Sequence, residues 1–248
     1  MSERRTGPGP YDELTSAEFA RRLKDKPLVI VPFGSVEEHG EHLPLCTDSC
    51  QAEEIATRVA KAFDALVCPP IRYGECRSTR NFPGTVSLSG ETMRSLAYDI
   101  VSELGRNGID KVMLLTGHAG SAHMAALRSG ALKAVEANPK LKVMVLSDYD
   151  IAYDLRGKEF PEDDGHAGGI ETSRMLRLRP DLVGAARPSG KARPPKYMIL
   201  PDPERYFPSG VMGDSTGASA MKGKNIDDYV VAQLSRLVTE NFGLKRKR

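Results

Sequence analysis

Between Phe33 and Asp48 the chain reads F-G-S-V-E-E-H-G-E-H-L-P-L-C-T-D, which places Glu37, His39, Glu41, His42 and Asp48 within twelve residues and no lysine or arginine among them. Carboxylate oxygen and imidazole nitrogen together suit a divalent transition ion such as Zn, Mn or Fe, whereas a calcium site is built from oxygen alone. A single Glu-x-His pair reads as a charged loop. A whole cluster directly after an apolar run carries a negative charge that a cation neutralises. Two later stretches carry the same residue types: G-H-A-G-S-A-H at 117–123, with His118, and D-D-G-H-A-G-G-I-E at 163–171, with His166 and Glu171. His123 reads as a structural histidine on a helix. Cys46 and Cys50 flank Asp48 and could ligate, but thiolate ligands usually come in sets. With Cys68 and Cys76 they read as free thiols, since none pairs as C-x-x-C. Arg77 and Arg80, in a Gly- and Pro-rich loop, suit either an anionic or carbonyl substrate or a plain surface loop.

These groups need a frame that brings distant segments together. Apolar runs predict strands over about 27–34, Ala65–Pro69, Asp110–Thr116 and Leu141–Ser147. Helical apolar spacing or capping residues predict helices over roughly 16–25, Gln51–Phe63, from the Ser89 cap to Asn107, Ser121–Glu136, Ile170–Leu178 and Asn225–Phe242. The alternation implies a mostly parallel sheet with helices on both faces, and ligands of such sheets gather at the carboxyl ends of the strands. Glu37, His39 and His118 each follow such an end. Residues 1–13 read as a flexible lead-in, 184–215 as a long loop or an excursion used for assembly, 210–223 as glycine-rich turns, and 244–248 as a solvated basic tail. No repeat or linker divides the chain, so 1–248 is expected to be one domain.

The chain has 248 residues, is 40% hydrophobic and 27% charged, and has a net charge of +2. That balance argues against nucleic acid as the main partner. No stretch approaches the ~20 apolar residues of a membrane span, and the N-terminus lacks a signal-peptide core, so a cytoplasmic protein is expected. A nicotinamide-dependent oxidoreductase needs G-x-G-x-x-G after the first strand, and G-S-V-E-E-H does not supply it.

Five segments, 34–48, F-P-G-T-V-S-L (82–88), 117–121, H-A-G-G-I-E-T-S (166–173) and G-V-M-G-D-S-T-G-A-S-A-M-K-G (210–223), resemble the creatininase family of metal-dependent amidohydrolases. The resemblance implies a three-layer α/β/α sandwich, a homohexamer, and C–N bond hydrolysis of a small molecule with one or two divalent ions (Zn, Fe or Mn). It implies Glu37, Asp48 and His118 as ligands of one ion, and His39 and Glu171 as ligands of a second, with Asp48 bridging. His166 and Glu171 become the catalytic pair, with His166 giving a proton to the leaving nitrogen. Arg77, Arg80 and Ser121 become substrate-binding residues, and Glu38 or Glu41 would orient His39 or His42. The chain departs from the family type enzyme in having no tryptophan, and in Gly120 where that enzyme has a glutamate ligand. Ala119 and Ser121 also depart from the commoner G-H-G-G-N. Creatinine is therefore a poor substrate expectation. Among the family's activities, deformylation of a pyrimidine nucleotide intermediate is favoured by the Arg77/Arg80 pair. Alternatives are cleavage of a mycofactocin-type precursor peptide, lactone hydrolysis, and metal binding without catalysis.

Overall fold

The computed structural model describes residues 9–247. Gly9–Pro10 (β1), Leu28–Phe33 (β2), Leu66–Val67 (β3), Lys111–Thr116 (β4) and Lys142–Ser147 (β5) form one sheet in the order β1-β3-β2-β4-β5. Every pairing in it is parallel. β2 is central and buried along its whole length, which is why it reads as an unbroken apolar run rather than an alternating one.

Helices cover both faces: Ser16–Arg22 (α1), Thr47–Phe63 (α2), Gly90–Arg106 (α3), Ser121–Ala137 (α4), Tyr149–Ala152 (α5), Gly169–Leu178 (α6) and Ala220–Phe242 (α7). Side-chain alternation along β2 feeds two cores. Leu28 and Ile30 pack with Ile55 and Val59 of α2, Ile170 of α6 and Leu234 of α7. Val29, Val31 and Phe33 pack with Met93 and Val101 of α3 and Leu127 of α4. The result is the expected α/β/α sandwich. No helix among the described residues is long and apolar enough to cross a membrane.

Three expectations change. Residues 1–8 of the lead-in lie outside the described residues, but Gly9 and Pro10 pair with Leu66 and Val67, and the Tyr11 ring lies 5.1 Å from Phe19. The lead-in is thus ordered from Gly9 onward, because a parallel edge strand and an aromatic contact hold it. The basic tail is also tied down as far as Lys247, whose backbone N–H donates to the Ala62 carbonyl at 2.8 Å. Gly243, at φ +67°, turns the chain back to allow this. Two helices start early, α2 at Thr47 and α7 at Ala220. Their first turns are too polar or too small to extend an apolar stripe. In the 184–215 excursion, Ser189–Gly190 (β6) and Gly213–Asp214 (β7) pair antiparallel.

Candidate metal centre

Glu37 and His39 follow the end of β2, and His118 follows the end of β4. Asp48 and Glu171 lie in the first turns of α2 and α6, where the helix N-terminus favours a carboxylate. Gly117 lets these elements meet, since a Cβ there would stand 2.1 Å from the Asp48 carbonyl oxygen. All five side chains are buried.

The Asp48 carboxylate divides the cluster into two halves. Its Oδ1 lies 3.0 Å from His39 Nε2, and its Oδ2 lies 3.1 Å from His118 Nδ1. Glu37 Oε2 completes the His118 side at 2.8 Å, and Glu171 Oε2 the His39 side at 3.4 Å. Each imidazole is oriented through its other nitrogen. His39 Nδ1–H donates to the Glu37 carbonyl and His118 Nε2–H to the Glu75 carbonyl, both at 3.0 Å. A carbonyl only accepts, so it sets the tautomer and leaves the opposite nitrogen toward Asp48. The carboxylates are held likewise. Ser35 donates to Asp48 Oδ2 at 2.6 Å, the Thr79 hydroxyl donates to Glu37, and the Ala167 N–H donates to Glu171 Oε2 at 2.7 Å. Ala167 takes a left-handed φ of +55° to do so, a local strain of the kind found at functional sites.

Electrostatics show what the cluster lacks. Burial pushes the His39 imidazole down, but Asp48 and Glu171 outweigh it and raise its pKa to about 10. Burial also opposes charge on His118, and Glu37 and Asp48 carry it well above the usual range. Burial would raise Asp48, but His39 and His118 hold it well below the usual carboxylate range. Three buried carboxylates thus draw protons onto two imidazoles to balance their charge. Divalent cations supply the same balance, and each half offers two carboxylate groups and one imidazole, a set matched to Zn, Mn or Fe. The residues present therefore fit the expected ions.

Beside the cluster is a cavity of about 220 Å³, whose lining includes Thr79, Gly120, Tyr153, Arg156, His166 and Met212. The His166 ring lies 4.2 Å from that of His39. Its Nε2–H donates to the Glu38 carbonyl at 2.7 Å, and the Met212 N–H holds its own carbonyl at 2.7 Å. One nitrogen each of His166 and His39 and a Glu37 oxygen lie within 4.8 Å of one another. A larger cavity of about 440 Å³, at the β1–β3 edge, is lined by no histidine.

Some expected residues are not brought here. Arg77 and Arg80 are absent from the cavity lining. Arg77 Nη2 donates to the Leu200 carbonyl instead, and Arg80 is exposed. Ser121 is exposed on the first turn of α4, also outside the lining. Neither Glu38 nor Glu41 orients His39 or His42. The Glu37 carbonyl holds His39, and Thr172 Oγ1 lies 2.8 Å from His42 Nε2. Glu38 supports His166 instead. His123 takes the structural role: the Glu75 N–H donates to its Nδ1 at 3.3 Å, and its Nε2–H donates to Thr116. Burial pushes its pKa to about 3. Cys46 and Cys50 face one another at 3.6 Å as free thiols, outside the cluster.

Sequence reasoning missed Ser35, Thr79, Tyr153, Arg156 and Cys76. The sulfur of Cys76 lies within 4.8 Å of a Glu37 oxygen and a His118 nitrogen. Ser35, beside the ligand-rich run, carried a usable signal; the others sit in stretches without periodicity. At Gly120 a Cβ would meet His118 Nε2 at 2.6 Å, so any side chain there would require the His118 ring to shift.

The family described as Creatininase, creatinine amidohydrolase, matches residues 12–238. This chain belongs to the creatininase family. It is a metal-dependent amidohydrolase by that membership. A creatinine amidohydrolase from Pseudomonas putida is 32% identical, over 93% of this chain and 96% of its own. A mycofactocin precursor peptide peptidase from Mycobacterium ulcerans (strain Agy99) is also 32% identical, over 86% and 85%. A solved structure described as Creatininase Mn superposes with a TM-score of 0.84 at 31% identity, covering 95% of this chain and 99% of that one.

Proposed function

We propose that this family member hydrolyses the C–N bond of a small amide in the His166 cavity. In this reading Glu37, Asp48 and His118 hold one divalent ion, and His39, Asp48 and Glu171 hold a second. The single observation behind it is the Asp48 carboxylate, which gives one oxygen to each imidazole. Bound there, the ions would supply Lewis acidity and an activated water. His166 is the proton donor for the leaving nitrogen. Its Nε2 is tied to the Glu38 carbonyl, so Nδ1 is the atom that delivers the proton. Glu171, fixed by the Ala167 N–H at 2.7 Å, joins His166 in the catalytic pair as the carboxylate that would hold the second ion beside the substrate.

Cavity size supports a small amide. With Arg77 and Arg80 outside the lining, the formamide reading loses the feature that favoured it. The 32% identity to a precursor peptide peptidase supports cleavage of a peptide end as the second reading. Assembly into a homo-oligomer, a hexamer by family resemblance, is supported by the exposed Tyr197, Met198 and Ile199 of the excursion, and light scattering tests it.

The test is to strip the protein, reload it with Zn, Mn or Fe, and assay amides, formamides, lactones and a peptide with a free C-terminal dipeptide. Metal-dependent release of an amine is expected. Stoichiometric metal uptake with no bond cleaved in any class would reduce the protein to a metal binder.

A further inference from the structure

We propose that Arg156 is the anion-binding residue of this cavity, and that the amide it accepts carries a carboxylate or phosphate group. This deepens the amide-hydrolase reading and rests on it.

Arg156 is the one lysine or arginine in the cavity lining, opposite Glu37, Asp48 and Glu171. An arginine among carboxylates normally pairs with them. Here, among the described residues, the guanidinium makes no hydrogen bond or ion pair, and its Nε is buried without an acceptor. Its Cζ lies 3.2 Å from the centre of the Tyr153 ring, a stacking contact that fixes the plane of the fork. The local chain holds the stem: the Arg156 N–H donates to the Tyr153 carbonyl at 3.1 Å, and the Gly157 N–H to the Phe160 carbonyl at 2.8 Å. The turn follows β5 and α5, so the side chain is delivered to the same rim of the sheet as the ligands.

Neighbouring charges are already occupied. Asp164 feels the Arg156 charge, but its oxygens accept from the Gly169 and Ile170 N–H groups at 2.6 and 3.1 Å and not from the guanidinium. Arg174, the large cation behind the cluster, is paired with Asp148 and Asp227. In this cavity lining Arg156 presents an oriented set of N–H donors without a hydrogen-bonded partner, and such a fork matches the two oxygens of a carboxylate or phosphate. A second hollow of about 240 Å³ shares Arg156, Gly165 and Met212 with the first and is lined further by Asp163, Asp164, Lys191 and Arg193, with Lys191 3.6 Å from Asp163.

The experiment uses the metal-loaded protein, wild type, Arg156→Gln and Arg156→Lys, titrated calorimetrically with three probes: N-acetylglycine, N-acetylaminomethylphosphonate and the neutral N-acetylglycinamide. Wild type is expected to bind at least one anion about ten-fold or more tightly than the neutral probe. Arg156→Gln should cut that ratio by about ten-fold, and Arg156→Lys should keep part of it, both at wild-type metal content and circular dichroism. The stronger anion identifies the source, carboxylate or phosphate. No preference in wild type, or a ratio that Arg156→Gln leaves intact, overturns the proposal. Cleavage of the same probes is read separately. Arg156-dependent binding without amide hydrolysis would count against the hydrolase reading and leave the anion site standing.

Discussion

The backbone carbonyl of Glu37 accepts the Nδ1–H of His39 at 3.0 Å, while the side chain of the same glutamate lies 2.8 Å from His118. One residue thus serves both halves of the centre by different atoms. Glu37→Gln keeps the carbonyl, and so the His39 tautomer, but removes a charge from the His118 half. Elemental analysis should show about one ion lost of two for Glu37→Gln, and both lost for Asp48→Ala, with hydrolysis abolished in the latter. Full occupancy in Asp48→Ala would contradict the ligand assignment.

Hydroxyl donors to the carboxylates set their orientation. Thr79→Val removes the donor to Glu37, and Ser35→Ala the donor to Asp48. Each should weaken metal affinity by about 10–100-fold, read by competition with a chelator, while the fold by circular dichroism stays unchanged. Unaltered affinity in both variants would show that those bonds do not tune the ligands.

His166 stacks on His39 but is assigned a proton-transfer role. His166→Ala should keep its metal and lose roughly 10²–10⁴ in kcat. Loss of an ion along with activity would make His166 a ligand, which its distance to Glu37 and His39 permits.

Arg174 is fully buried, with Nε 2.7 Å from Asp227 and Nη2 2.6 Å from Asp148. Removing it leaves Asp148 buried without a cation and Asp227 with Arg177 alone. Arg174→Met should lower stability in urea by about 3–5 kcal/mol. Adding Asp148→Asn should recover part of that loss, because the stranded charge goes with it, whereas adding Asp227→Asn should not, since Asp227 still pairs with Arg177.

His42 gives a pH signature. Burial pushes its pKa down to about 4, with Arg187 and His39 adding to the effect. Above pH 6.5 the imidazole is neutral folded and unfolded, so its contribution is fully present. As pH falls from 6.5 to 4 the unfolded chain takes the proton first, and stability drops, levelling below 4. The span is on the order of 2–3 kcal/mol. Urea unfolding of metal-stripped wild type and His42→Gln at pH 7 to 4 checks it. The difference between the two curves isolates His42 from the other titrating groups.

Some of this was legible in the chain itself. The runs at Leu28–Phe33 and Lys111–Thr116 are apolar throughout because both faces of their strands are covered, and polar ligand types directly after them mark the rim. That is a local pattern, readable by periodicity and residue type; it marked Glu37, His39, Asp48, His118 and Glu171 among the candidates, and the family resemblance singled out those five as the expected ligand set. What sits around those five was decided by tertiary structure. Arg77 and Arg156 look alike in sequence, each an arginine in a polar loop. One is tied to the Leu200 carbonyl and the other is stacked on Tyr153 in the cavity wall. Which backbone carbonyl orients which imidazole, and which hydroxyl reaches which carboxylate, are contacts between residues up to 128 positions apart. The sequence determined the inventory of candidate ligands and the strands that end beside them. Only folding decided their partners, because a hydrogen bond across loops depends on where separate segments stop in space, and no local spacing encodes that.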